Sequence, residues 1–262
     1  MYRFVLSRRW IGFALLVVAL SLLFVRLGIW QFHRLAERHA NNAVIERNLA
    51  AAPAALDSVV APTETVQDDL AWRQVNVTGT FDATHQILVR YQTRDGALGV
   101  DVLTPIRQVS GSAALVDRGW LPTGNNITHE VQVPAPPTGQ VRLTGWLMPD
   151  QDGSDDQLRV QSGSVRLISS PAIAPTLPYP IHDGYVSMTS SDPVPSIPLR
   201  RTDAPGLSSG PHLFYGLQWF FFAGLAVVGW FYFAYTEAQT RQRATGDQPA
   251  AAAQIGLTDA GA

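Results

Sequence analysis

A histidine stands at the mouth of a hydrophobic segment in the run Pro211-His212-Leu213-Phe214-Tyr215-Gly216-Leu217-Gln218-Trp219-Phe220, with Gln218 one to two turns further in. Polar groups inside a membrane are costly, and that cost marks them as functional candidates. A neutral imidazole at this depth can ligate a metal or a haem iron, or hydrogen-bond a partner helix. The plainer reading is interfacial, with the histidine and Tyr215 resting at headgroup level. Two more constellations carry chemistry-bearing side chains. Leu27-Gly28-Ile29-Trp30-Gln31-Phe32-His33-Arg34 ends an earlier apolar run, and Val116-Asp117-Arg118-Gly119-Trp120-Leu121-Pro122 ends a strand-like one. Trp30 and Trp219 read as interfacial anchors. Asp117 and Arg118 read as one exposed ion pair of little energetic worth. Gly119 reads as a backbone conformation, or a close approach, that a side chain would block.

Other chemistry finds little support. The six histidines, at 33, 39, 85, 129, 182 and 212, show no spacing for a helical zinc site. His85, His129 and His182 lie in turn-like contexts and read as surface residues. The acidic stretch Asp150-Gln151-Asp152-Gly153-Ser154-Asp155-Asp156 has its glycine misplaced for a calcium loop and no glutamate at the closing position, so it reads as a solvated loop. There is no nucleophile elbow, phosphate loop or dinucleotide fingerprint, and no paired carboxylates stand out as an acid/base couple. The absence of cysteine removes disulfides, thiolate metal sites and thiol redox chemistry. All 19 basic residues are arginine, which excludes a lysine nucleophile, and a net charge of −2 gives no electrostatic case for nucleic acid.

Two elements must position these residues. Residues 10–30 and 212–235 are apolar runs, and about 20 helical residues match a hydrocarbon core of about 30 Å. The first run lacks a cleavage context after its apolar core, so it reads as a retained anchor. Arg3, Arg8 and Arg9 precede the first run, and Arg241 and Arg243 follow the second, which puts both termini in the cytoplasm. Residues 1–9 then form a cytoplasmic N-terminus. Residues 31–211, with 13 Arg against 18 Asp and Glu, form an extracytoplasmic domain of a plasma-membrane protein, and 236–262 an unordered cytoplasmic tail. Within the domain a helix continues from Gln31 and fades by Pro53. Strand-like runs follow at 73–78, 86–91, 99–107, 113–120, 141–147, 164–168 and 184–189, with a helix near 153–163 or 171–178 and irregular loops at 123–139 and 190–210. The fold class is therefore membrane α+β: two transmembrane helices flanking an antiparallel β-rich domain, a small sheet or barrel.

Four segments in this order resemble the Surfeit-locus (Shy-type) cytochrome c oxidase assembly factor family. They are Leu27-Gly28-x-Trp30-Gln31-x-x-Arg34, Gly99-x-x-x-x-Thr104-Pro105, Val116-x-Arg118-Gly119-Trp120-Leu121-Pro122 and His212-x-x-Tyr215-x-x-Gln218-Trp219-Phe220. The likeness covers about residues 10–235, and it departs at Ser208-Ser209-Gly210-Pro211, where the family often has a polar Asn-x-His approach.

The resemblance implies a non-enzymatic role in building haem-copper oxidases, with haem a as transient cofactor, oxidase subunit I as partner, and haem A synthase and the lipid bilayer as neighbours. It makes His212 the haem ligand. Trp30, Gln31, Arg34, Arg118, Gly119, Trp120, Gln218 and Trp219 match motif positions. On a helix His212, Tyr215, Gly216 and Trp219 share one face. Tyr215 and Trp219 can pack on a macrocycle, Arg34 can meet a propionate, and His33 is a second axial candidate. The same face equally serves as a contact between the two spans. A haem carrier and a haem-free chaperone of subunit I both remain open. An anchored extracytoplasmic enzyme lacks the residues for it.

Overall fold

A computed structural model describes residues 3–62, 64–123 and 131–255. The described chain forms two units, one from residues 1–40 and 208–262 and the other from 41–207.

The first unit is a helix pair. Helix α1, Arg8–Ala50, contributes its residues up to Ala40, and α5, His212–Ile255, contributes the rest. The two run antiparallel, because rings early in α1 meet the later part of α5 and rings further along α1 meet the start of α5. Trp10 meets Trp230, Phe13 meets Phe233, Phe24 stacks on Trp219 and Phe32 stacks on Phe220. Glycines let the rings in. A Cβ on Gly28 would lie 2.6 Å from the Phe220 ring, and one on Gly216 would lie 3.3 Å from that of Phe32. Small residues at such crossings are how apolar helices approach where no hydrophobic driving force separates helix from lipid. Both helices are long and apolar enough to cross a membrane, and only 6% and 11% of their most apolar windows are buried. A core helix of a soluble protein would hide that surface; here Leu15, Leu22, Phe214, Phe221, Val228 and Phe231 lie exposed.

Helix α5 outruns its sequence expectation. It continues past Tyr235 to Ile255, through the alanine-rich stretch whose composition suggested an unordered tail. Residues 256–262 lie outside those described.

The second unit is a β-barrel with added edges. Its strands are β1 (Ala54–Ala55), β2 (Arg73–Phe81), β3 (Ile87–Arg94), β4 (Ala97–Gln108), β5 (Ala113–Pro122), β6 (Val141–Met148), β7 (Ser164–Val165) and β8 (Tyr185–Asp192). Short helices α2 (Leu56–Val59), α3 (Asp155–Leu158) and α4 (Ser170–Ile173) lie between them. The pairings β2–β6, β6–β8, β8–β5, β5–β4 and β4–β2 close a ring of five strands. The long strand β4 makes closure possible, since its end at Ile106–Gln108 leaves β3 behind and pairs with Phe81–Gly79 of β2. Asp95 and Gly96, both at positive φ, form the two-residue turn between β3 and β4 that a tight hairpin favours.

An all-antiparallel sheet does not survive closure. Directions cannot alternate around a ring with an odd number of strands, so one neighbouring pair must run parallel. That pair is β5–β8, with Val116 opposite Val186 and Asp117 opposite Ser187. The edge pairs β1–β2 and β3–β7 are parallel as well. Strand β7 is also shorter than its sequence run, ending at Val165.

Alternation fixes the core. Val75, Val77 and Phe81 of β2 and Val141, Leu143 and Leu147 of β6 point into one cluster with Ala114, Val116, Val186 and Met188. A second cluster of Ile87, Val89, Leu103, Leu115, Val165, Ile168 and Ile173 lies on the other face of β5. Strand β5 is therefore buried on both faces from Ala113 to Trp120. Each such Val, Leu or Ile contributes about 1.5–3 kcal/mol by leaving water. The last turns of α1 join this unit through Asn48, whose amide donates to the carbonyls of Asp69 at 2.7 Å and Ala71 at 2.8 Å.

His182 is a correction. It is 2% exposed rather than a surface residue. The backbone around it is stitched to β5, Ala113 N–H donating to Pro180 O and His182 N–H to Ala113 O. Its Nε2 lies 3.0 Å from Asp57 Oδ1, while burial pushes its pKa below the usual histidine value. His85, half-buried, lies 2.9 Å from Asp82. His129 lies outside the described residues.

Candidate functional site: two motif clusters

The first cluster sits where α1 and α5 meet near Gln31 and His212. His212 is half-buried, and its Nδ1 lies 2.9 Å from Gln31 Oε1. Two turns further along α1, His39 Nε2 lies 2.9 Å from Ser209 Oγ. This contact ties down the short approach Ser208–Pro211. Gly210 follows at φ +67, and a Cβ there would lie 3.4 Å from His212 Nε2. The Nε2 edge of the ring thus lies beside the glycine, and Nε2 has no hydrogen-bond partner among the described residues. No local pattern singled out His39 or Ser209, because their contact joins positions 170 residues apart along the chain.

The helical face read from sequence divides in the structure. Gly216 receives Phe32 and Trp219 stacks on Phe24 at 5.7 Å, so both face α1. Tyr215 and Gln218 are exposed on α5, and Trp30 and His33 are exposed on α1. Arg34 pairs with Glu37 at 2.9 Å, with both side chains more than half exposed.

The second cluster is in the β unit. Arg118 and Asp117 do not form an exposed ion pair; they are 2% and 4% exposed and project to opposite faces of β5. The expectation failed because both faces of β5 are covered. Arg118 Nη1 donates to Gln86 Oε1 at 3.1 Å and Nη2 to Pro134 O at 2.8 Å, with the guanidinium over the Phe81 ring. Burial, followed by repulsion from Arg201, pushes its pKa down to about 10.

Gly119 has φ +126, and a Cβ on it would lie 2.6 Å from Arg200 O. That space admits residues 199–200, of which Arg200 exchanges backbone hydrogen bonds with Trp120: the Trp120 N–H donates to Arg200 O at 2.7 Å and its O accepts from Arg200 N at 3.1 Å. The Trp120 indole donates to Gln92 O at 3.1 Å and lies against Gly99, where a Cβ would meet Nε1 at 2.4 Å. Thr104 donates to the same Gln86 oxygen that receives Arg118. The Gly-x-x-x-x-Thr-Pro and Arg-Gly-Trp segments are thus two sides of one packed junction.

A cavity of about 140 Å³ lies beside this junction, lined by Arg94, Asp101, Asp117, Tyr185 and Ser187 among others. Arg94 holds Asp101 at 2.8 Å. Asp117 accepts from Gly119 N–H at 2.9 Å and, more weakly, from Ser187 and Thr202. Burial and then repulsion from Asp117 push Asp101 up to about 7, Arg94 offsetting part of it. Burial likewise pushes Asp117 up. Among the described residues no group of three or more metal-ligating side chains comes together.

The SURF1 family model matches residues 18–224, a span that contains both clusters. This chain belongs to the SURF1 family. An uncharacterized SURF1-like protein of Mycobacterium tuberculosis is 30% identical over 250 residues, 94% of this chain and 91% of its own. A SURF1-like protein of Rickettsia felis is 29% identical over 115 residues, 43% of this chain and 48% of the relative. The cytochrome oxidase assembly protein SHY1 of Saccharomyces cerevisiae is 29% identical over 121 residues, 44% of this chain and 31% of the yeast protein. SURF1 proteins are assembly factors, not enzymes.

Proposed function

We propose that this chain is a membrane assembly factor for a haem-copper cytochrome c oxidase that binds haem a in transit through His212 and helps its insertion into subunit I. The observation that carries the reading is the donor at the α1–α5 contact. His212 has Nδ1 engaged by Gln31, while Nε2 has no hydrogen-bond partner among the described residues. A neutral imidazole with one free nitrogen fits a haem iron, and a single protein ligand suits a carrier that must release its load. Haem a supplies the redox-active iron of the finished oxidase. Kinship with yeast SHY1, named as an oxidase assembly protein, supports the destination.

In this reading α1 and α5 cross the plasma membrane. Arg3, Arg8, Arg9, Arg241 and Arg243 hold both ends in the cytoplasm, and the β unit is extracytoplasmic. Haem A synthase is the natural donor, and Arg34 and Tyr215 are exposed and available to the bound group.

A specific observation favours a second reading, a haem-free chaperone of subunit I. Gly216 and Trp219 are taken by Phe32 and Phe24, so the helix pair fills much of the face that would meet a macrocycle. An absorption spectrum separates the two. Wild type and His212→Ala are purified in detergent from cells making haem A. The carrier reading expects a reduced haem a band in the wild type that is lost in the mutant. No haem in either preparation would establish the chaperone reading instead.

A further inference from the structure

Gln31 has a chemical duty that its motif position does not reveal. It lies on the α1 face that carries Phe24, Gly28 and Phe32, all turned to α5. An amide beside an apolar helix contact costs free energy unless it is hydrogen-bonded. Among the described residues its side chain has one partner, His212 Nδ1 at 2.9 Å. The amide oxygen that faces the ring carries no proton. Nδ1 must therefore be the donor, and a neutral ring then keeps its lone pair on Nε2. Nε2, beside Gly210, has no hydrogen-bond partner among the described residues.

We infer that Gln31 is a positioning residue for His212: it holds the ring in the Nδ1–H tautomer and fixes its orientation, so that Nε2 is presented as the ligating atom. The identity of the ligand rests on the haem-carrier reading; the hydrogen bond does not. A neutral histidine side chain in water prefers its proton on Nε2, the tautomer that blocks this nitrogen. Without Gln31 the ring would revert toward that form and lose its fixed orientation. Metal-bound histidines commonly donate their second N–H to such a partner, whose loss weakens binding about 10–100-fold. The partner here is a neutral amide and not a carboxylate. A carboxylate would draw the Nδ1 proton harder and make the imidazole a stronger ligand. The amide fixes the tautomer while leaving the ligand moderate, as transient binding requires.

The test uses full-length protein in detergent, as wild type, Gln31→Leu, Gln31→Glu and His212→Ala. Nitrogen NMR of haem-free, ¹⁵N-histidine-labelled protein reads the tautomer, with His212→Ala assigning the signals. Ferric haem a is then titrated and followed by absorption, and circular dichroism checks helix content. The wild type is expected to show Nδ1–H at His212. Gln31→Leu is expected to move the proton to Nε2 and to weaken haem a binding about 10–100-fold. Gln31→Glu is expected to restore Nδ1–H and to shift the absorption bands from wild type, which a purely structural role would not do. If Gln31→Leu keeps the wild-type tautomer, or changes it without changing haem affinity, the inference fails. The carrier reading still stands in that case, provided His212→Ala abolishes binding. If His212→Ala binds haem a as the wild type does, the carrier reading fails, and the tautomer shift in Gln31→Leu still decides whether Gln31 sets the ring.

Discussion

The two motif clusters use similar residue types for opposite ends. On β5, Arg118 and Trp120 are buried; the two NH2 groups of Arg118 and the indole N–H of Trp120 are turned to Gln86 and to backbone carbonyls of the unit. On the helix pair, His212 engages Gln31 through Nδ1 while Nε2 has no hydrogen-bond partner among the described residues, and Arg34 is more than half exposed. A buried cation whose NH2 groups are taken inside the fold is a structural part of it, because removing it leaves buried acceptors unpaired. In the carrier reading, the half-engaged imidazole at the helix end serves something outside the chain. On that reading the motif residues divide into those that build the β unit and those that present a ligand.

The largest expected effect tests the building half. Gly119→Ala places a Cβ 2.6 Å from Arg200 O at a backbone φ of +126, where L side chains are strained. The bridge between Trp120 and residue 200 must then open. We expect roughly 3–5 kcal/mol of destabilisation, read as a fall in the melting temperature of about 6–20 °C for a unit of this size. The haem signal per folded molecule should persist. Loss of haem at unchanged stability would break the division.

The pH dependence comes next. Asp101 is raised to about 7 and Asp117 is raised too, each first by burial. In the unfolded chain such carboxyls release their protons near pH 4. Below that pH both states are protonated and the contribution is fully present. As pH rises from about 4 through about 7 the unfolded state gives up protons that the native state keeps, so stability falls. Roughly 2–4 kcal/mol should disappear between pH 5 and pH 8. Asp117→Asn should flatten the curve. Thermal unfolding across that range checks it, and a melting temperature that rises toward pH 8 would refute the buried-acid account.

These cases show where sequence reading reaches its limit. The strand runs were legible because Val75-Asn76-Val77-Thr78 and Val141-Arg142-Leu143-Thr144 alternate with period two. The spans were legible from length and apolarity. The parallel β5–β8 pair was not, since it follows from ring closure and not from any local pattern. Asp117 and Arg118 looked like surface charges because the covering of both faces of β5 is a tertiary fact. The histidine was visible in the sequence. Its contact with Gln31 was not, because that contact forms only where the two helices pack.

The smallest effect sharpens the presenting half. Arg34 and Glu37 are paired at 2.9 Å, with side chains 57% and 63% exposed. An exposed pair three residues apart on a helix contributes about 0.2–0.5 kcal/mol or less. Arg34→Ala should therefore leave the melting temperature of the helix pair within about 1–2 °C of wild type. If Arg34 also meets a haem propionate, the same variant should release haem faster in a wash-off experiment, and more so at low salt, where the charge is least screened. Arg118→Ala should show the reverse pattern, losing stability first, because its guanidinium is buried and its acceptors would be left unpaired. If Arg34→Ala destabilised the protein more than Arg118→Ala did, the assignment of roles to the two clusters would have to be exchanged.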